Sequence, residues 1–478
     1  MKERKNVYQL PAGDKTLEWY AKAVLEMKKR PTTDPTSWNY QAAMHGFYAP
    51  SPFWQGSAPL PSAADQARFW NQCQHGSWYF LPWHRMYLAY FEQIVGATIV
   101  ALGGPADWAL PYWNYSETTP HARDMPPAFV SPAAPTNGLW MAGRASNSIP
   151  ARYVTLGALN TIPYTGDGRT SPLGFGGPES VFSHGGSPHG QLESLPHDMV
   201  HVAIGGAMGD PRTAGLDPIF WLHHANIDRL WQVWLNMGAH RVNPVKKAWL
   251  DFKFEFHDKN RPPVVMTSKD VLDTRTVLTG YTYQGVPAGA PVVAHAMAAA
   301  KVANVAEGIQ LNERVDASTT LDVVAATNKP NVLSSAKTLA HLDLPGAPRT
   351  RLMNFAAFTK EALVPSKPAM SILHFEHITG KGVPPIHDVY INTVENDGNK
   401  EAHYAGSLSF FGVEESSVAN VHQSGSGQHY ALDVTALMDS LKSLPNWNAQ
   451  RLDISIEPSK PMDANTSVTI GRISLYSE

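Results

Sequence analysis

The stretch from Leu195 to Trp234 constrains this chain more than any other, because it sets four histidines on helical spacing. His197 and His201 open it within PHDMVH, four residues apart, and on an α-helix positions i and i+4 lie on one face. Two imidazoles so placed can share one metal ion. The stretch closes with FWLHHANIDRLWQVW, where Ile227, Leu230, Trp231 and Trp234 form an apolar stripe of helical period. One turn back along that stripe stand His223 and His224, and the periodicity leaves open which of them faces inward. Three histidines from two packed helices are enough to hold an ion. A lone H-x-x-x-H arises often by chance, but a second histidine cluster lies upstream and the zinc-protease pattern H-E-x-x-H is absent.

The 478 residues suffice for two or three domains with a large core. A formal charge of −3 gives no reason to expect nucleic acid or an anionic membrane as a partner. No apolar run is long enough to span a bilayer. The segment MKERKNVYQLPAGDK lacks the apolar centre of a signal peptide, which leaves a cytoplasmic protein or one exported after loss of a leader. Cys73 is the single cysteine, so no internal disulfide forms.

Along the chain, residues 15–30 read as a helix with Leu17, Tyr20, Val24 and Met27 inward, ended by Pro31. Residues 37–48 read as a short helix carrying His45 near its end. His75 lies in the approach to a third helix that His84 starts, with Leu88, Phe91, Val95 and Ile99 inward; Glu92 near that face needs a buried partner. Residues 103–185, rich in Pro, Gly, Ser and Asn, read as long loops around the core-facing segment PYWNY. From about residue 366, short alternating runs such as SILHFEH, HDVYINTV, YAGSLSFFGV, RLDISIEP and SVTIGRISLY predict an all-β sandwich. The expected architecture is therefore a mainly α-helical core with long loops over residues 1–285, a connector over 286–365, and a β-sandwich over 366–478.

Imidazole is the common ligand type, with no matching carboxylate or thiolate set. All-nitrogen sites suit copper, zinc, iron or nickel, so spacing alone does not select the metal. Six histidines in two sets of three suggest two ions with open positions for a small bridging molecule. A hydrolytic zinc pair is disfavoured, since no bridging carboxylate accompanies the histidines.

The motif C-x-H-G-x-W-Y-F-L-P-W-H-R, with Cys73, His75, His84 and Arg85, resembles the first copper motif of tyrosinases, catechol oxidases and haemocyanins. GQLESLPHDMVH followed by MGDPRTAGLDPIFWLHHANIDRLW resembles their second. More weakly, residues 246–283 resemble the connecting module of plant-type polyphenol oxidases, and HDVYINTV and YAGSLSFF their C-terminal β-domain. The resemblance implies two copper ions, one held by His45, His75 and His84, the other by His197, His201 and His224, with His223 beside the pocket. It implies oxidation of phenols by O₂ to o-quinones, the alternative being reversible O₂ carriage of haemocyanin type. It also implies a β-domain that covers the site and keeps the enzyme latent, without indicating which residue is inserted.

Further roles follow from the same resemblance. Glu193 stands where relatives hold a water near the second copper. Asp198 replaces the Asn of many monophenol-oxidising relatives and would orient that water or accept the phenol proton; the bland alternative is that it caps the helix start. Val202 would line the substrate mouth, and Pro211 stands where several plant relatives place a bulky Phe, leaving a wider gate. Cys73, two residues before His75, matches relatives in which a thioether joins the pair.

Overall fold

The computed structural model describes residues 1–181, 188–287, 321–344, 370–394, 400–420, 423–444, 447–448 and 450–478. The first half is built on helices α1 (Thr16–Lys29), α2 (Trp38–His45), α3 (Ala63–Phe69), α4 (Phe80–Ala101), α5 (Met199–Ile204), α6 (Ile219–Asn236) and the single turn α7 (Lys247–Leu250). Ser37 starts α2 by accepting the backbone N–H of Tyr40, which sets the phase that brings His45 to the last residue of the helix. Both α4 and α6 are buried on nearly every side, wider than the single stripes that periodicity marks. They are the centre of the bundle, and α1 packs on α4 with Tyr20, Val24 and Met27 buried.

The connection between α4 and the second histidine pair contains only single helical turns among its described residues, as the loop composition predicts. Side chains fasten it instead. Arg144 ion-pairs with Asp217 and donates to the carbonyls of Phe129 and Leu139. Tyr112, Trp113 and Tyr115 of PYWNY are buried.

Two short strand pairs close the helical half. Strand β2 (Lys253–His257) pairs antiparallel with β3 (Pro263–Thr267). Strand β1 (Lys2–Arg4) pairs parallel with β4 (Tyr281–Tyr283). That second pair buries Arg4, whose guanidinium meets Glu92 at 2.6 Å and Asp228 at 3.5 Å and lies 3.7 Å from the Tyr281 ring centre. Glu92 thus finds the buried partner its position demands.

The second half is a two-sheet sandwich. Its remaining strands are β5 (Asp322–Ala326), β6 (Asn331–Leu333), β7 (Thr338–Asp343), β8 (Ser371–Lys381), β9 (His387–Val394), β10 (Lys400–Leu408), β11 (Ala419–Asn420), β12 (Gln423–Ser424), β13 (Gln428–Asp433), β14 (Arg451–Pro458) and β15 (Ser467–Ser477). One sheet runs β10-β9-β14-β7; the other runs β13-β8-β15-β5, with β6 also on β15. Alternate residues such as Phe375, Ile391, Ile454 and Ile473 meet in the core between them. Helical and β half contact each other closely around the histidines.

The expected boundary at residue 366 needs correction. Residues 322–343, placed by sequence in the connector, supply β5, β6 and β7 of the sandwich. Their runs are short, and only pairing with β14 and β15 far along the chain makes them strands. The rest of the expected connector lies outside the described residues, apart from 286–287 and 344.

Candidate dicopper site

Six of the predicted ligands come together as two facing triads. His45 ends α2, His75 leaves the loop before α4, and His84 sits in the first turns of α4. Their ring centres lie 5.3, 5.6 and 5.6 Å apart. In the second triad His197 precedes α5, His201 is on α5 and His224 is on α6, with ring centres 4.6, 4.9 and 5.4 Å apart. Between the triads, His84 stacks on His224 at 4.5 Å and His75 lies 5.8 Å from His197. The helix carrying His201 restarts at Pro196, because the preceding Leu195 is extended (φ −149°, ψ 116°), as a residue before proline prefers.

The backbone sets the orientation of three of the rings. Nδ1 of His45 donates to the Pro211 carbonyl at 2.8 Å, Nδ1 of His84 to Phe80 at 2.7 Å, and Nδ1 of His201 to Met208 at 2.8 Å. Each such bond leaves Nε2 as the bare nitrogen. The Nε2 atoms of His84 and His197 are buried with no hydrogen-bond partner, and those of His201 and His224 face each other at 3.3 Å. Buried ring nitrogens set this close together suit a cation between them. Burial also holds the rings neutral: it lowers His84 and His201 to about 3, and His197 and His224 well below the usual range, neighbouring histidines adding to the fall. Neutral, close-set imidazoles in two sets of three fit two copper ions.

His223 is not interchangeable with His224. Its Nδ1 lies 3.0 Å from the Tyr115 hydroxyl and its ring stacks beside His197 at 5.3 Å, the flanking place expected for it. Cys73 is buried with Sγ 3.5 Å from Nδ1 of His75. Pro211 supports the His45 ring through its carbonyl, and Gly46 is needed there, since a Cβ would come 2.4 Å from that oxygen. Val202 is buried at 5% exposure.

Behind His197 lies a buried polar group. Glu193 accepts the Gly76 N–H with both oxygens, at 2.9 and 3.0 Å. Asp198 is buried and serves no cap, contrary to the bland alternative. Its Oδ1 accepts Nδ1–H of His197 at 2.8 Å, while Oδ2 accepts Nδ1–H of His189 at 2.7 Å and the Tyr430 hydroxyl at 3.0 Å. Burial would lower the His189 pKa, but Glu193 and Asp198 outweigh it and raise the group to about 9. Burial raises Glu193 above the usual carboxylate range, with His189 opposing it.

The β-domain supplies the lid. Phe411, 2% exposed, stacks on His201 at 4.2 Å and 21° and meets His75 and His197 edge-on at 5.7 Å each. Its neighbour Gly412, at φ +78°, fits against the Pro211 ring, where a Cβ would stand 3.3 Å from Cγ. Phe410 packs into the sandwich core while Phe411 joins the helical one. Ser409 donates to the Asp198 carbonyl at 3.2 Å, Arg212 pairs with Glu414 at 3.1 Å, and Arg169 with Glu376 at 2.7 Å.

Sequence reasoning missed three of these residues. His189 lies one position before the motif that marked the second triad. Tyr430 sits in β13, a strand not singled out by its pattern. Phe411 left a legible sign, because consecutive phenylalanines at a strand end cannot both enter one core.

The chain resembles known proteins in sequence and in fold. The family signature described as the common central domain of tyrosinase matches residues 35–161 and 174–237, and that of the polyphenol oxidase middle domain matches 245–290. Residues 320–478 match a domain of unknown function. The tyrosinase HcTyr1 of Hahella sp. (strain CCB-MM4) is 40% identical over 502 aligned positions, covering 100% of both chains. A chloroplastic polyphenol oxidase of Malus domestica is 32% identical over 292 positions, covering 56% of this chain and 46% of its own length. Among solved structures, a latent apple tyrosinase aligns over 100% of this chain and 97% of its own at a TM-score of 0.60 and 23% identity, a likeness of fold. The full-length match sets the oxygen-carrier alternative aside: the chain belongs to the tyrosinase and polyphenol oxidase family, type 3 copper oxidoreductases that use two copper ions to oxidise phenols with O₂.

Proposed function

We propose that this chain is a latent polyphenol oxidase that turns o-diphenols into o-quinones in preference to hydroxylating monophenols. Phe411 carries the reading, lying flat on His201 where a phenol ring would dock. While it lies there, no substrate reaches the metals. Displacing the β-domain, or trimming this one side chain, opens the pocket. When bound, the copper pair activates O₂ and takes the electrons of the phenol.

The preference for diphenols rests on what Asp198 has left to give. Two of its donors, His189 and His197, belong to the helical half and remain when Tyr430 leaves with the β-domain, and Glu193 is likewise engaged with Gly76 and with His189 at 3.7 Å. Neither carboxylate is poised to remove a phenol proton, the step that monophenols need and that o-diphenols meet more easily through their lower pKa. Cys73 beside His75 supports the thioether, which locks that imidazole.

The test compares the uncut chain, the Phe411→Ala variant and a chain cut at a protease site inserted after Ala300, each loaded with copper, on catechol and on a bulky diphenol. Both changes should raise kcat/KM by about tenfold or more. Equal rates in all three would show that Phe411 is no barrier. In Asp198→Asn the ratio of monophenol to diphenol turnover should rise, and an unchanged ratio would take Asp198 out of the selectivity. The intact mass should fall two hydrogens short of the sequence if the thioether has formed.

A further inference from the structure

His189 is a buried ring that touches neither the predicted copper ligands nor the substrate place. Its side chain is 1% exposed, Nδ1 stands 2.7 Å from Oδ2 of Asp198, and its ring leans on Tyr430 at 5.3 Å. The backbone on either side is pinned. Pro188 bridges to His429 of the β-domain, and at Gly190 a Cβ would come 2.4 Å from the Gly177 nitrogen. The fold therefore places this ring, and places it behind a metal ligand rather than at the metals.

We propose that His189 is a positioning residue for the second copper, holding the Asp198 carboxylate so that its other oxygen keeps His197 turned with Nε2 toward the metal. Two donors reach the same oxygen, one from each half of the molecule. Tyr430 leaves with the β-domain; His189 belongs to the helical half and stays. In the docked chain either donor suffices to fix the carboxylate. In the opened enzyme His189 is the remaining one of the two, and without it Asp198 is free to rotate and release the His197 ring. Groups that orient a metal-bound histidine commonly change metal affinity by about 10- to 100-fold. The part that concerns the opened enzyme rests on the latent reading proposed above.

Copper retention tests this without reference to turnover. Full-length chains loaded with copper are challenged with a chelator, and the loss of each of the two ions is followed by elemental analysis, beside the thermal midpoint. His189→Phe keeps the ring volume and removes the donor; His189→Gln keeps an N–H donor; Tyr430→Phe removes the second donor. Uncut, His189→Phe and Tyr430→Phe should each hold copper as the parent does. The uncut double variant should lose one of its two ions at least tenfold faster, with the thermal midpoint of the copper-free chain unchanged. After cleavage at the site following Ala300, His189→Phe alone should show the same loss, while His189→Gln and Tyr430→Phe stay within about threefold of the parent.

If the uncut double variant retains both ions like the parent, the assignment falls. It falls too if, after cleavage, His189→Gln loses copper as fast as His189→Phe, since hydrogen bonding would not then be what matters. Should phenylalanine not be tolerated, His189→Ala, which only removes atoms, replaces it in the same comparison. The double variant is read in the uncut chain, so a failure of latency and a failure of this assignment are told apart.

Discussion

At the scale of single residues, four of the six predicted ligands are oriented by an acceptor on Nδ1, a backbone carbonyl for His45, His84 and His201 and the Asp198 carboxylate for His197. Replacing His84 or His224 by Asn removes one aimed lone pair from its triad and should leave one tightly held copper per chain, read by elemental analysis. Retention of two ions in either variant would break the ligand assignment. Most of this was legible in the sequence, since i and i+4 spacing and the long motifs name the histidines without any coordinates. The polar group behind His197 was not. His189 reaches Asp198 because the backbone of 188–190 is pinned by segments distant in the chain, and no local period carries that information. Periodicity alone left His223 and His224 open and the resemblance chose His224, while the contact of His223 with the Tyr115 hydroxyl comes from a loop more than a hundred residues upstream that no local pattern reveals.

At the scale of elements, α4 and α6 are joined by a buried charge cluster as well as by apolar packing. Asp228 on α6 takes Arg85 of α4, Arg4 of β1 and the hydroxyls of Tyr281 and Tyr283. Removing the shared carboxylate of a buried ion cluster leaves the guanidinium groups charged and dry. Asp228→Ala should therefore cost about 3–5 kcal/mol in denaturant unfolding of the chain. Lys22→Ala, which breaks the exposed Lys22–Glu18 pair, should change nothing measurable. Helices and the long strands were readable as patterns because their period is local. Strands β5 to β7 and β13 were not, because they are short and owe their state to partners elsewhere in the sandwich.

At the scale of the whole molecule, the two halves meet through polar contacts that acid should weaken. His374 accepts no charge easily: burial and Arg169 hold it down to about 4, while its Nε2 donates to the Gly168 carbonyl. His429 is likewise lowered to about 4 by burial, then by Arg169 and His377, with Glu376 opposing. Undocked, each would titrate near 6.5. The docked form thus binds fewer protons, so docking is at full strength above about pH 6.5 and is lost as pH falls toward 4. Each histidine can contribute up to roughly a tenfold change in the docking constant per pH unit across that window. Small-angle scattering of the intact chain should show expansion between pH 7 and 4.5, and His429→Gln should blunt it; a constant radius of gyration would contradict this. The same long reach governs how the helical half is made. Arg4 is paired with Glu92 and Asp228 and walled in by Tyr281 and Tyr283, so its guanidinium has no finished berth until those tyrosines have left the ribosome. The histidines of both triads lie in the chain between these two ends, so the helical half closes on them only once residue 283 has been added.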